Sequence, residues 1–151
     1  MSERAHDRGN TFLEVLLAIT ITGLLMTGIL AALRTTVDAS TLDRDHANAH
    51  AWLQTATDVL YQAELEDCGT QAASAEPAVR AAYQAIVRST SNPKGWPEGN
   101  IEILAPVLFW DGRSSYQSTC YDDIGISLQL ITIQVRGLDG RIVESVQVVK
   151  G

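Results

Sequence analysis

The chain has 151 residues, 46% of them hydrophobic, and a formal charge of −7. That length allows one membrane helix and one modest domain. The acidic balance argues against nucleic acid as a direct partner, because phosphate binding needs a basic stripe. Beyond residue 33 the count is 9 Lys and Arg against 15 Asp and Glu, so the remainder of the chain is acidic in its own right.

The first element is a short polar stretch, MSERAHDRG, followed by an apolar run. From Val15 to Leu33 there are 19 consecutive residues without a charge. As a helix, residues 10–33 would rise about 36 Å, more than the roughly 30 Å of a bilayer's hydrocarbon core. A membrane helix is therefore predicted. The run is longer than the core of a secretory signal peptide, and Leu30-Ala31-Ala32 is a poor cleavage site. Flanking charge leaves the orientation open, with Arg4 and Arg8 before the span and Arg34 and Arg44 after it. A carboxylate, Glu14, stands at the start of this run. An ionisable group there is a functional hypothesis by default, because a charge at mid-membrane costs roughly 2.5–3.5 kcal/mol on insertion scales. The alternative is an interfacial acid that faces water.

The segment Gly9-Asn10-Thr11-Phe12-Leu13-Glu14-Val15 resembles the N-terminal signature of type IV pilins and type II secretion pseudopilins. In that family a polar leader ends in Gly, and a Phe-Thr-Leu-Ile-Glu-like segment opens a long apolar helix. The resemblance covers roughly residues 4–35. It implies that a prepilin peptidase cuts after Gly9, that Asn10 becomes the new N-terminus, and that Glu14 is the fifth mature residue. Gly23 matches a common glycine of the family helix. Two positions depart from the pattern. Asn10 stands where Phe is usual, which bears on N-methylation more than on cleavage, and Ala31 stands where many major pilins carry a proline. Both departures point to a minor pilin or a pseudopilin. The resemblance also implies a partner for Glu14, namely the free amine of Asn10 on an adjacent subunit. Other pilin or pseudopilin subunits and an assembly platform in the cytoplasmic membrane are the further implied partners.

The helix is predicted to continue through residues 34–67. Ala49, Trp52, Ala56, Val59 and Ala63 recur at spacings of three and four, with Leu53 and Leu60 widening the stripe, and Gly69 supplies a stop. Gln71–Glu76 is predicted as a loop. Pro77 opens a shorter helix to about Thr90, with Val79, Ala82, Tyr83, Ile86 and Val87 on one face. SNPKGWPEGN, residues 91–100, is turn chemistry. The period then changes to two, with Ile101, Ile103 and Ala105 alternating with Glu102 and Leu104, and Pro106 marks an edge strand or a bulge. Asp111-Gly112 marks a turn. The last 26 residues predict two strands joined around Gly137–Gly140, with the alternation slipping at Leu130-Ile131 as at a bulge or a strand buried on both faces. The predicted fold class is α+β: a long N-terminal helix, membrane-spanning in its first half, packed on a small antiparallel sheet as a pilin-like roll.

Cys68 and Cys120 both lie outside the apolar run. They are open to oxidation to a disulfide if this part of the chain leaves the cytoplasm, and are otherwise separate thiols. A bond between them would tie the end of the long helix to the segment before the hairpin.

Signals for catalysis are weak. His46 and His50 have metal-ligand spacing on a helix, with Asp43 or Asp45 nearby, but Ala47 occupies the place where a zinc protease needs its glutamate. A solvated helix face is the expectation. Asp122-Asp123 is a lone acidic pair, read as a surface turn rather than a calcium site. Ser114, Ser115 and Ser118 lack a nucleophile elbow, and Trp96, Trp110 and Tyr121 read as core or loop anchors. No enzyme activity, cofactor or metal is expected.

The organisation expected is a leader at residues 1–9, a transmembrane and filament-core helix at 10–33, and an extracytoplasmic head at 34–151. The functional expectation is a structural subunit, N-terminus inside, of a type IV pilus-like, secretion or DNA-uptake filament. The alternative is a single-pass anchored ectodomain that binds a ligand and never polymerises.

Overall fold

The computed structural model describes residues 7–68, 74–120 and 128–151. The elements run α1 (Asp7–Gln62), α2 (Glu76–Arg88), a 3₁₀ turn (Glu98–Asn100), β1 (Ile101–Trp110), β2 (Tyr116–Gln117), β3 (Gln129–Arg136) and β4 (Val143–Lys150). The four strands form one antiparallel sheet in the order β2-β1-β3-β4. This is the α+β arrangement that the sequence predicts. The chain divides into two compact units, Met1–Asp43 and Arg44–Gly151. The Gly69 stop, the first half of the Gln71–Glu76 loop, Tyr121 and the Asp122-Asp123 pair lie outside the described residues.

In the first unit α1 is helical without interruption, and residues 11–43 are all exposed. Threonine hydroxyls, which compete with backbone hydrogen bonds when they sit in a helix, are absorbed locally. Thr20 donates to the carbonyl of Leu16 at 2.7 Å, Thr22 to that of Ala18 at 2.7 Å and Thr27 to that of Leu24 at 2.8 Å. Each hydroxyl is thereby compatible with an apolar surrounding.

In the second unit α1 presents Ala49, Trp52, Leu53, Ala56 and Leu60 to the core, the face that the three-and-four spacing predicts. α2 contributes Val79, Tyr83 and Val87. The inner face of the sheet contributes Ile101, Ile103, Val107, Phe109, Ile131, Ile133, Val135 and Val148 to the same cluster. Trp52 closes it at the top of α2. Its Nε1 donates to Thr90 Oγ1 at 2.9 Å, and its ring meets Trp96 edge-on with centroids 6.2 Å apart.

β2 is only two residues long, so most of β1 lacks a strand on that side. Side chains of α2 serve instead. Gln84 Nε2 donates to the carbonyl of Ile101 at 3.1 Å, and its Oε1 accepts from the Ile103 N–H at 2.6 Å. Glu76 Oε1 accepts from the Val107 N–H at 3.0 Å and from Arg80 Nε at 3.1 Å. Three backbone groups on this edge of β1 are thus satisfied by side chains of α2.

Three sequence expectations are corrected. α1 ends at Gln62 rather than 67. No Gly or Pro breaks it, so the stop is tertiary. Lys150, buried at the end of β4, donates its Nζ to the carbonyls of Leu60 at 2.9 Å, Tyr61 at 3.5 Å and Ala63 at 2.6 Å. An ammonium at a helix C-terminus satisfies orphan carbonyls and complements the dipole. The second correction concerns β3, which pairs with β4 in unbroken register from Gln129 to Arg136. No slip occurs at Leu130-Ile131. The inward position before Ile131 is held by a buried polar residue, Gln129, and Leu130 lies on the outer face. The irregularity sits instead in β1, at the Pro106 that the sequence marks. There residues 105–107 stand opposite Ile131 alone, between the Leu104↔Thr132 and Leu108↔Leu130 pairs. Two extra residues preserve face parity, so Val107 and Phe109 still point inward. The third correction is Ala105, expected inward but exposed by this irregularity.

Gln129 is one corner of a closed ring. Tyr83 Oη donates to Gln129 Oε1 at 2.6 Å, Gln129 Nε2 donates to the Glu66 carbonyl at 2.7 Å, and the Glu66 N–H donates to Tyr83 Oη at 2.9 Å. The ring fixes the strap after α1, and burial raises the Tyr83 pKa above its usual value. Tyr83→Phe should orphan the Glu66 N–H and one Gln129 lone pair, costing about 1–3 kcal/mol. A chemical denaturation curve with an unchanged midpoint would refute that role.

Candidate functional site

Two regions carry the site residues singled out by sequence. The first is the N-terminal part of α1. Phe12 is 69% exposed, Leu13 68% and Leu24 69%, and the apolar side chains of this stretch are exposed all round the helix. A helix apolar on every side cannot satisfy itself in water and must be covered by lipid or by other helices. By length and composition it is able to cross a membrane. Glu14 lies exposed on this same surface. Gly9 and Asn10 fall within α1.

Residues 4–30 match the family model described as the prokaryotic N-terminal methylation motif. The chain carries a type IV pilin- and pseudopilin-like prepilin signal. Neither a curated protein nor a solved structure matches the chain. The prepilin signal covers Gly9, Asn10 and Glu14, and the apolar helix beginning within it is of the transmembrane kind. Such a signal supports a pilin-type processed precursor.

The second region is the head. Cys68 and Cys120 are joined in a disulfide with Cα atoms 6.1 Å apart. It links the strap after α1 to the segment after β2, and Cys120 is buried. Around the turn from β1 to β2, the Asp111 carboxylate accepts the backbone N–H groups of Ser115, Arg113 and Ser114. These donors hold its pKa far below the usual carboxylate range. Gly112 allows the turn through φ +75°. Ser114 and Ser115 are therefore turn residues. Trp96 is a core anchor, and Trp110 meets Tyr116 edge-on with centroids 5.3 Å apart.

His46 and His50 do share a face of α1, but that face is not simply solvated. His46 Nδ1 lies 2.9 Å from Glu144 Oε1 on β4. Among the described residues, no group of three or more His, Cys, Asp or Glu side chains could hold a metal ion. Sequence reasoning missed Glu144, Gln129 and Lys150. The signal was present as period-two parity, since Gln129 falls in step with Ile131, and Glu144 and Lys150 with Val146 and Val148.

Proposed function

We propose that this chain is a minor pilin or pseudopilin: made as a precursor, cleaved after Gly9 by a prepilin peptidase, and assembled through the helix 10–33 into a filament. The observation that carries the reading is the prepilin signal on a helix whose apolar surface is uncovered by its own chain. In this reading the leader residues 1–9 keep the precursor in the cytoplasmic membrane with its N-terminus inside. Cleavage removes Glu3, Arg4, Asp7 and Arg8, leaving an end able to enter an apolar bundle. Glu14 then pairs with the free amine of Asn10 on a neighbouring subunit, and in a low-dielectric bundle that pairing selects the axial register. The assembly platform and sister pilins are its partners. Its work is mechanical, and the acidic head, residues 34–151, is displayed outside the cytoplasm. Minor status rests on Asn10 and Ala31.

Two measurements test the reading. Intact-mass spectrometry of chain from native membranes or sheared surface material should find an N-terminus at Asn10. A retained Arg8-Gly9 in cells with active prepilin peptidase would favour the non-polymerising ectodomain. Glu14→Ala should leave cleavage unchanged while reducing filament incorporation at least about tenfold, the effect of losing a pairing worth roughly 1.4 kcal/mol. Normal incorporation would refute the role of Glu14.

A further inference from the structure

The two edges of the sheet are finished differently. On the β1 side, Gln84 and Glu76 of α2 take backbone groups that β2 is too short to pair. On the other side β4 is the last strand, and it pairs with β3 in unbroken register along its whole length. The Gly137 N–H donates to the Ile142 carbonyl at 2.9 Å, in step with that register. Bonded and non-bonded pairs alternate along an antiparallel ladder, so the backbone groups of Val143, Ser145, Gln147 and Val149 point away from β3. Among the described residues, none supplies these groups with a hydrogen bond. The usual guards of a free edge are missing. β4 has no proline and no bulge, and its one lysine, Lys150, is turned inward to the end of α1. Glu144 is taken up by His46.

We propose that the free edge of β4 docks an extended segment of a partner protein, in which apolar side chains alternate with basic ones. A row of N–H and C=O groups at two-residue spacing is complementary to backbone in the same extended conformation. Strand addition of this kind takes affinity from main-chain bonds and specificity from pockets for alternate side chains. Such a pocket lies beside this edge. It is a groove lined by His50, Leu53, Gln54 and Thr57 of α1 and by Ser145 and Val146 of β4. Every second side chain of the added strand enters it, and Leu53 and Val146 favour apolar ones. The side chains between them lie on the outer face of the sheet, in line with Val143 and Val149, both exposed. Charge selects the partner. Residues 34–151 carry 9 Lys and Arg against 15 Asp and Glu, so a second copy would bring an equally acidic head to the edge. A basic segment is attracted instead. The inference goes beyond assembly through the helix 10–33 and does not rest on it.

The test titrates the full chain in detergent with a capped synthetic peptide of alternating valine and lysine, as long as the eight residues of β4. Binding is read by fluorescence anisotropy and by hydrogen–deuterium exchange. Saturable binding should slow exchange of the Ser145, Gln147 and Val149 amides at least about tenfold, since each gains a backbone partner. Two further peptides carry N-methyl groups on every valine amide or on every lysine amide. Successive amides of a strand point to opposite edges, so only one of the two loses its bonds to β4. Their affinities should differ at least about tenfold. Gln147→Pro should weaken binding of the unmethylated peptide by a similar factor. The Gln147 N–H points away from β3, so this proline removes an outward donor and leaves the ladder intact. Thr57→Trp should also weaken binding, by filling the groove. Absence of saturable binding, or equal affinity of the two methylated peptides, overturns the proposal. Protection of the same amides with rising chain concentration and no peptide would show a second copy on the edge, and would overturn the choice of partner.

Discussion

Replacing Cys68 and Cys120 together with alanine should destabilise the head by about 4 kcal/mol, the chain-entropy value for closing a loop of this size. The bond spans a sequence separation of 52 residues. It encloses α2 and β1, the pair whose side chain-to-backbone bonds replace a missing edge strand. Opening that loop lengthens the search needed to bring Gln84 back to Ile101 and Ile103. The double variant is the right comparison, because a single substitution would leave a reactive thiol. Denaturant unfolding of the full chain in detergent should show a lower midpoint with the variant, and with wild type under reducing conditions. A loss below about 1 kcal/mol would mean that the core and the Tyr83–Gln129–Glu66 ring already hold the strap, leaving the disulfide little to add. A bond of this worth is useful only where thiols stay oxidised, which supports a head outside the cytoplasm.

What was legible in the sequence depended on range. The apolar run, the stripe from Ala49 to Leu60, Pro77 as a helix start and the hairpin around Gly137–Gly140 are local patterns, and each element appears near its predicted place. Gly140 takes φ +71° in that hairpin, as its turn requires. The misread features are those in which a distant residue decides. The end of α1 is set by Lys150, some 90 positions away in the chain. The parity of β3 was misread because Gln129 is polar, and only Tyr83 and Glu66, from other elements, make its burial tolerable. Pro106 announced an irregularity in β1 without giving its size, which is the two-residue difference that keeps Val107 and Phe109 inward. At the site the prepilin signal was legible because it is contiguous, whereas the His46–Glu144 contact joins residues 98 positions apart.

Trp52→Ala should be the most damaging single change in the head, costing about 3–5 kcal/mol. The ring is 2% exposed and bridges three parts of the fold. It lies on α1, donates to Thr90 after α2, and meets Trp96 in the turn-rich segment before β1. Thr90 already donates its own hydroxyl to the Val87 carbonyl at 2.6 Å, so the indole N–H is the donor that completes that oxygen. Truncation to alanine loses the packing, creates a cavity beside Trp96 and orphans Thr90 at once. Trp52→Phe separates these contributions, because it restores most of the ring volume without the N–H donor. It should recover more than half of the loss, a ratio read from the two unfolding midpoints. The position also separates head stability from processing. Trp52 lies in the unit Arg44–Gly151, whereas the prepilin signal ends at residue 30. Trp52→Ala precursor should therefore be cleaved after Gly9 at the wild-type rate while its head becomes sensitive to added protease. If cleavage fails along with the head, the peptidase must require a folded head as well as the contiguous signal, and the mechanical reading of this chain would need a checkpoint between folding and processing.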